Sequence, residues 1–193
     1  IQAGLELVEE GIVEGIVYAR NTVTANDPQS ELGFRKGDQE QKLGYFMYPL
    51  YAAINFTIEH QSKYSLDARA EFTGNTNSIK RENATEVFMA KYNIEAMDIA
   101  HMRGTTISRK FVIIDEAQNM TNATMKLIGT RMGEETRLVV MGDPGQIDHP
   151  FLSKRRNALV SLLNKAQYSD FIAGIQLRRT IRSQVADWFD KNF

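Results

Sequence analysis

The chain contains no cysteine. That excludes disulfides, thiolate metal sites and a cysteine nucleophile, and it fits a cytoplasmic protein. Histidine is scarce too: His60, His101 and His149 are the only three, scattered without ligand spacing, so no zinc site is expected. Neither sign of charge is in excess. Lysine and arginine total 23 against 24 acidic residues, for a formal net charge of −1. Nothing therefore drives the whole chain toward nucleic acid or an anionic membrane, and any such surface must be a local patch. No apolar run approaches membrane-spanning length and no signal peptide is recognisable, so no membrane partner is expected. A phosphate loop of the form G-x-x-x-x-G-K-S/T is missing from the whole sequence.

What is present is an ordinary globular composition, 42% hydrophobic and 24% charged over 193 residues, enough for one domain with its own core. No internal repeat or linker divides it, so residues 1–193 read as a single domain. The most informative stretch is Phe111 to Gln118. Phe111, Val112, Ile113 and Ile114 suit a strand buried on both faces, and Asp115 and Glu116 follow at its C-terminal end. In an open parallel sheet that is the ligand-binding end. Two adjacent carboxylates repel unless a cation or a proton-transfer role offsets the cost. Nucleotide hydrolysis needs such a pair, the first acid holding hydrated Mg²⁺ and the second orienting or deprotonating the attacking water. The alternative is a strand ending in a solvated acidic turn.

A second apolar run, Leu138 to Met141, ends in Gly142-Asp143-Pro144-Gly145-Gln146. Between the two runs, Thr121 to Met132 is helix-sized, with Met125, Ile128 and Met132 on one face and Gly133 as the expected C-cap. The spacing predicts a β-α-β unit, with Asp143 and Gln146 facing the same crevice as Asp115 and Glu116. A glutamine there can sense a γ-phosphate or the attacking water, because its amide both donates and accepts.

Taken in order, the chain opens on Ile1 rather than Met, in what reads as a helix already under way to Glu10, with Ile1, Leu5 and Val8 on one face. A hydrolytic half-site without a phosphate-cradling half leads to the expectation that the phosphate loop lies just upstream of Ile1. Gly15 to Ala19 is a short strand that delivers Arg20 to the ligand side. Thr22 to Asp38 reads as an extended loop. Gln39 to Gln61 turns helical, with Pro49 expected to kink or split it and Tyr45 to Phe56 supplying aromatic bulk for the core or for base stacking. Gln61 to Glu82 is polar and unpatterned, followed by a helix from Arg81 to Tyr92 and a strand from Ile94 to Ala100. Arg103, ahead of Gly104, is a candidate phosphate or nucleic-acid contact, or a structural partner for an acid. Further on, Ser153 is expected to cap a helix bearing Leu159, Leu162 and Leu163, with Lys154, Arg155 and Arg156 in its first turn, an unfavourable place against the helix dipole. That basic cluster suggests an anionic partner or a solvated face. Phe171 to Leu177 is read as a last strand, and a helix carrying Val185, Trp188 and Phe189 closes the chain. The sum is an α/β fold, a mainly parallel sheet of about five strands flanked by helices.

The runs Met102 to Ile107, Phe111 to Asn119 and Gly142 to Asp148 resemble the PhoH-like proteins, phosphate-starvation-inducible P-loop ATPases related to superfamily 1 helicases. The resemblance covers almost the whole chain. It implies a RecA-like fold, ATP and Mg²⁺ as cofactors, and work on RNA or other single-stranded nucleic acid, since some members are described as RNA helicases; homo-hexamers occur in the family. Carried over by position, Asp115 is the Mg²⁺-linked acid, Glu116 the catalytic base, Gln146 the γ-phosphate sensor and Arg182 a candidate arginine finger. By the same resemblance, Asp143 and Arg103 would contact nucleotide, and Arg20 and Arg103 phosphate or nucleic acid. The competing reading is a non-catalytic nucleic-acid-binding or assembly module, favoured by the missing phosphate loop.

Overall fold

The structure, a computed structural model, describes residues 1–20, 47–64, 78–177 and 183–192. Among them run α1 (Gln2–Glu9), β1 (Gly15–Arg20), α2 (Tyr48–Tyr64), α3 (Ser78–Lys91), β2 (Ile94–Asp98), β3 (Lys110–Asp115), α4 (Asn122–Gly129), β4 (Arg137–Val140), α5 (Ala158–Ala166) and α6 (Gln184–Asn192). The expected loop over 22–38, the first part of the aromatic helix and most of the polar stretch before α3 lie outside the described residues. The chain divides into two compact units, Ile1–Ser161 and Leu162–Phe193.

The first unit is built on a sheet of order β2-β1-β3-β4 in which every pairing is parallel. Its central strands, β1 and β3, form because their apolar runs have two faces to bury. Ile16 and Tyr18 of β1, with Phe111 and Ile113 of β3, join Leu5 of α1, Leu50 and Ile54 of α2 and Phe88 of α3 in one core. Val17 and Ala19, with Val112 and Ile114, alternate into a second core with Met102, Met120, Ile128 of α4, Ala158 and Leu159. The period of two thus divides each run between helices above and below, which is why these segments read as continuously apolar rather than alternating. The close seat of α1 depends on Gly4, where a Cβ would stand 2.7 Å from Phe111 Cδ1.

Several local expectations are corrected. Among the described residues the sheet has four strands, not five: Phe171 to Leu177 forms no strand, and Phe171, Ile175 and Leu177 are exposed. A strand needs a neighbouring edge to satisfy its backbone, and a local apolar pattern does not supply one. Pro49 sits in the first turn of α2, where its missing N–H has no helical partner to lose, and the part of the expected helix before Met47 lies outside the described residues. Thr121 caps α4 through Oγ1, which accepts from Thr124 N at 3.2 Å, and Thr130 ends the helix. Gly133 instead donates its N–H to Ile107 O, at 2.7 Å, beyond the helix end. The cap of α5 is Asn157, whose Oδ1 accepts from Val160 N at 2.9 Å, so Lys154, Arg155 and Arg156 precede the helix and the dipole conflict does not arise.

Candidate active site

Because β3 and β4 are adjacent and parallel, with Ile114 opposite Val140, the residues that leave them emerge side by side. The backbone continues the pairing past both strands: Met141 N donates to Ile114 O at 2.8 Å and Ala117 N donates to Met141 O at 2.9 Å. Asp115 and Glu116 are therefore brought next to Gly142 and Asp143, at the C-terminal end of the sheet. Between them Glu116 takes a left-handed conformation, φ 56° and ψ 36°. A non-glycine residue there costs about 1–2 kcal/mol, and such strain collects at functional sites.

The group that holds the two strand ends together is Gln118, which is 1% exposed. Its Nε2 donates to Glu116 Oε2 at 2.6 Å and to the carbonyl of Gln146 at 2.9 Å, while its Oε1 accepts from Asp143 N at 3.1 Å. One amide thus sets the base candidate and both polar residues of the second loop. Gly142 makes room for it, since a Cβ there would collide with Gln118 Oε1. Asn119 repeats the device one residue on: its Oδ1 accepts from Asp148 N at 2.8 Å and its Nδ2 donates to Asp148 Oδ2 at 3.3 Å. Within the second loop, Asp143 accepts from Gly145 N at 2.8 Å and from Gln146 Nε2 at 2.9 Å, which draws the Gln146 side chain back over its own turn.

The neighbouring strand β1 contributes the other side. Its last residue, Arg20, is paired in register with Asp115, and its guanidinium meets Glu116 Oε1 at 3.1 Å. Both side chains are about one-third exposed or less, 27% and 33%, so solvent still reaches the carboxylate. Tyr18 donates its hydroxyl to Asp115 Oδ2 at 2.6 Å, and Asp115 Oδ1 accepts from Glu116 N at 2.9 Å. Burial first, then this bond to Asp115, push the Tyr18 phenol well above its ordinary value of 10.0. The neutral phenol is the form the fold favours. Its stabilising contribution is complete below the ordinary value and fades as pH climbs through the higher folded one. Tyr18→Phe should accordingly remove a step from the far alkaline end of an absorbance titration. An alkaline end left unchanged by Tyr18→Phe would place Tyr18 elsewhere.

The structure thus gathers Asp115, Glu116, Asp143, Gln146 and Arg20 at one end of the sheet. Arg103 follows a short 3-10 turn (Ile99–Met102) after β2, is exposed, and forms no ion pair with Asp115 or Glu116. Arg182 lies outside the described residues. Gln118, Asn119 and Tyr18 carry no role in the sequence reading, although Gln118 closes its most informative run and Asn119 directly follows it. An amide directly behind two carboxylates, at a position that must turn back into the core, was the available signal.

The whole chain, residues 1–193, matches the family described as PhoH-like protein. It is 30% identical to the protein PhoH2 of Bacillus subtilis over 187 residues, 96% of this chain and 38% of that protein. A PhoH-like protein of the same organism is 32% identical over 143 residues, 74% of this chain and 37% of the relative. The protein PhoH of Escherichia coli is 31% identical over 139 residues, covering 72% and 32%. The chain therefore spans between 32% and 38% of the length of these relatives. With a family match that runs from its first residue to its last, the chain belongs to the PhoH-like protein family.

Proposed function

We propose that this chain carries the water-activating half of an ATP-hydrolysing site that, in the intact protein, works on single-stranded nucleic acid, RNA foremost. The observation that supports it is the Gln118 clasp: two adjacent acids and a glutamine from a neighbouring strand end, fixed in one place by a buried amide. A solvated acidic turn has no need of such a clasp, because water would satisfy its carboxylates without a buried partner.

The donor set fits the cofactors. Among the described residues no group of three His, Cys, Asp or Glu side chains could hold a metal alone. Mg²⁺ in nucleotide sites is held by one or two carboxylates together with substrate phosphates and water, which is what Asp115 offers. Its oxygens each accept one hydrogen bond, from Tyr18 and from Glu116 N, which fixes the carboxylate and leaves a lone pair on each for a hydrated cation. Mg·ATP, when bound, supplies the electrophilic γ-phosphorus and neutralises charge on its oxygens. Glu116, oriented by Arg20 on Oε1 and Gln118 on Oε2, accepts a proton from the attacking water. Gln146 is assigned to the γ-phosphate, for which its amide would exchange the bond to Asp143 that holds it over its own turn, and Arg182 is assigned to charge developing on the transferred group, within the subunit or across an interface of a homo-oligomer such as a hexamer. Arg103 is assigned to phosphate or nucleic acid, and Asp143 to holding Gln146.

Phosphate release from Mg·ATP tests this, measured on the chain as it stands and on the chain extended upstream of Ile1 to include a phosphate loop. Hydrolysis by the extended protein, at least a hundredfold weaker in Asp115→Asn, is the expected result. No hydrolysis by the extended protein, with or without RNA, leaves a binding or assembly module instead.

A further inference from the structure

Immediately beyond the second loop of the site, the segment from His149 to Arg156 combines an aromatic ring with a local excess of positive charge. Phe151 is 84% exposed, touched at its edge by His149 with 6.0 Å between ring centroids. Lys154, Arg155 and Arg156 are exposed, and none of them forms an ion pair among the described residues. No carboxylate occurs between His149 and Arg156, in a chain whose net charge is −1. This is the local patch that the overall charge balance demands of any polyanion-binding surface.

The segment is also built rather than loose. His149 O accepts from Leu152 N at 3.1 Å, and His149 Nδ1 from Phe151 N at 3.2 Å. Ser153 and Arg156 exchange backbone bonds at 3.2 and 2.9 Å, which puts Lys154 and Arg155 at the tip of a tight turn. Asn157, 3% exposed, anchors the turn by donating to Ser153 O at 2.9 Å. At the other end, Asn119 Oδ1 accepts from Asp148 N and His149 N, at 2.8 and 3.4 Å, so the root of the segment hangs on the residue next to Gln118.

We infer that residues 149–156 form a contact for single-stranded nucleic acid, with Phe151 stacking on a base and Lys154, Arg155 and Arg156 meeting consecutive backbone phosphates. A flat ring held beside cations suits a strand whose bases are unpaired and whose phosphates follow one another. A duplex hides its base faces, and an apolar protein groove would have to strip water from three unpaired cations to reach one phenyl ring. Neither contact reads the sugar, so RNA and DNA strands bind alike. The inference rests on the nucleic-acid half of the function proposed above and is independent of the hydrolytic half.

The test is fluorescence anisotropy of labelled oligouridine and oligodeoxythymidine of about 12 nucleotides, with the whole chain and no nucleotide added. Wild-type protein should bind both at low salt. Phe151→Ala should weaken binding to both about tenfold, as expected for one lost stacked base, and Phe151→Trp should restore it. Replacing Lys154, Arg155 and Arg156 together by Gln should lower the slope of log affinity against log salt by about 2, from roughly 0.7 per phosphate contact. All four positions are exposed, so the variants should melt with the wild type. Wild-type binding left within twofold by both changes would overturn this site while leaving nucleic-acid binding intact. Displacement of the oligonucleotides by polyphosphate at equal charge, or Phe151→Ala binding as tightly as wild type, would reduce the segment to a plain anion patch and overturn the stacking that defines it. Failure of the wild type to bind either strand would sink the inference together with the nucleic-acid half of the function, whereas phosphate release by the extended protein would still stand or fall alone.

Discussion

Glu116→Gln should abolish hydrolysis by the phosphate-loop-extended protein, by at least a hundredfold and toward ten-thousandfold, with the fold left standing. The magnitude is that of removing a positioned general base. The stability side follows from the contacts. Arg20 approaches one carboxylate oxygen and Gln118 Nε2 the other, and both of these partners donate. An amide at position 116 can accept from only one of them and must turn its own NH₂ toward the second. One bond is lost, which costs about 1 kcal/mol, and the pair with Arg20 is exposed enough to be worth at most about that again. A fall of a few degrees in melting temperature is therefore expected beside a loss of activity far larger than unfolding could produce. Glu116→Gly provides the opposite balance. It relieves the left-handed strain at φ 56°, offsetting part of the lost contacts, yet should be as inactive as Glu116→Gln. Turnover within tenfold of wild type in either variant would remove Glu116 from the role of base.

The central sheet was legible in the sequence because each strand of the β3-α4-β4 unit is an apolar run bounded by turn residues, and parallel pairing of such a unit leaves few alternatives. On that ground Asp115, Glu116, Asp143 and Gln146 are expected at one sheet end, and the register of Ile114 opposite Val140 puts them there. Helix ends were less legible. Ser153 and Asn157 are equally good caps by residue type, and the choice fell to Asn157 because its side chain can also bond back to Ser153 O within the preceding turn. Phe171 to Leu177 has a strand's composition and no strand's pairing, because an edge is a tertiary property. Least legible of all were the roles of Gln118 and Tyr18. The partners of Gln118 lie at Asp143 and Gln146, 25 and 28 positions further along the chain, and Tyr18 and Asp115 are 97 positions apart. Neither contact leaves a local periodicity to read.

The same long reach makes Gln118 the residue whose loss should be felt most widely. Gln118→Leu keeps the volume and the burial but removes an amide that serves Glu116, the Asp143 N–H and the Gln146 carbonyl together. Each orphaned group costs about 1–3 kcal/mol if water stays out. Asp143 and Gln146 are exposed, so water replaces part of the loss, and a net destabilisation of about 3 kcal/mol is expected. Hydrolysis by the extended protein should fall by a further factor of at least ten at a temperature where the variant is fully folded, because Glu116 then keeps only Arg20 to aim it. Gln118→Glu separates this clasp from mere packing. It sets a second carboxylate 2.6 Å from Glu116 Oε2 in place of a donor, and two carboxylates that close hold one proton between them. The shared proton raises the folded pKa of the pair above the unfolded carboxylate value, so the site is least disturbed in acid and loses stability as pH rises through the raised value. Chemical denaturation of this variant should therefore show a deficit against wild type that is small near pH 4 and grows toward pH 8, while Gln118→Leu shows a deficit with little dependence on pH. Equal, pH-independent deficits in the two variants would mean that Gln118 fills space beside Glu116 without holding it.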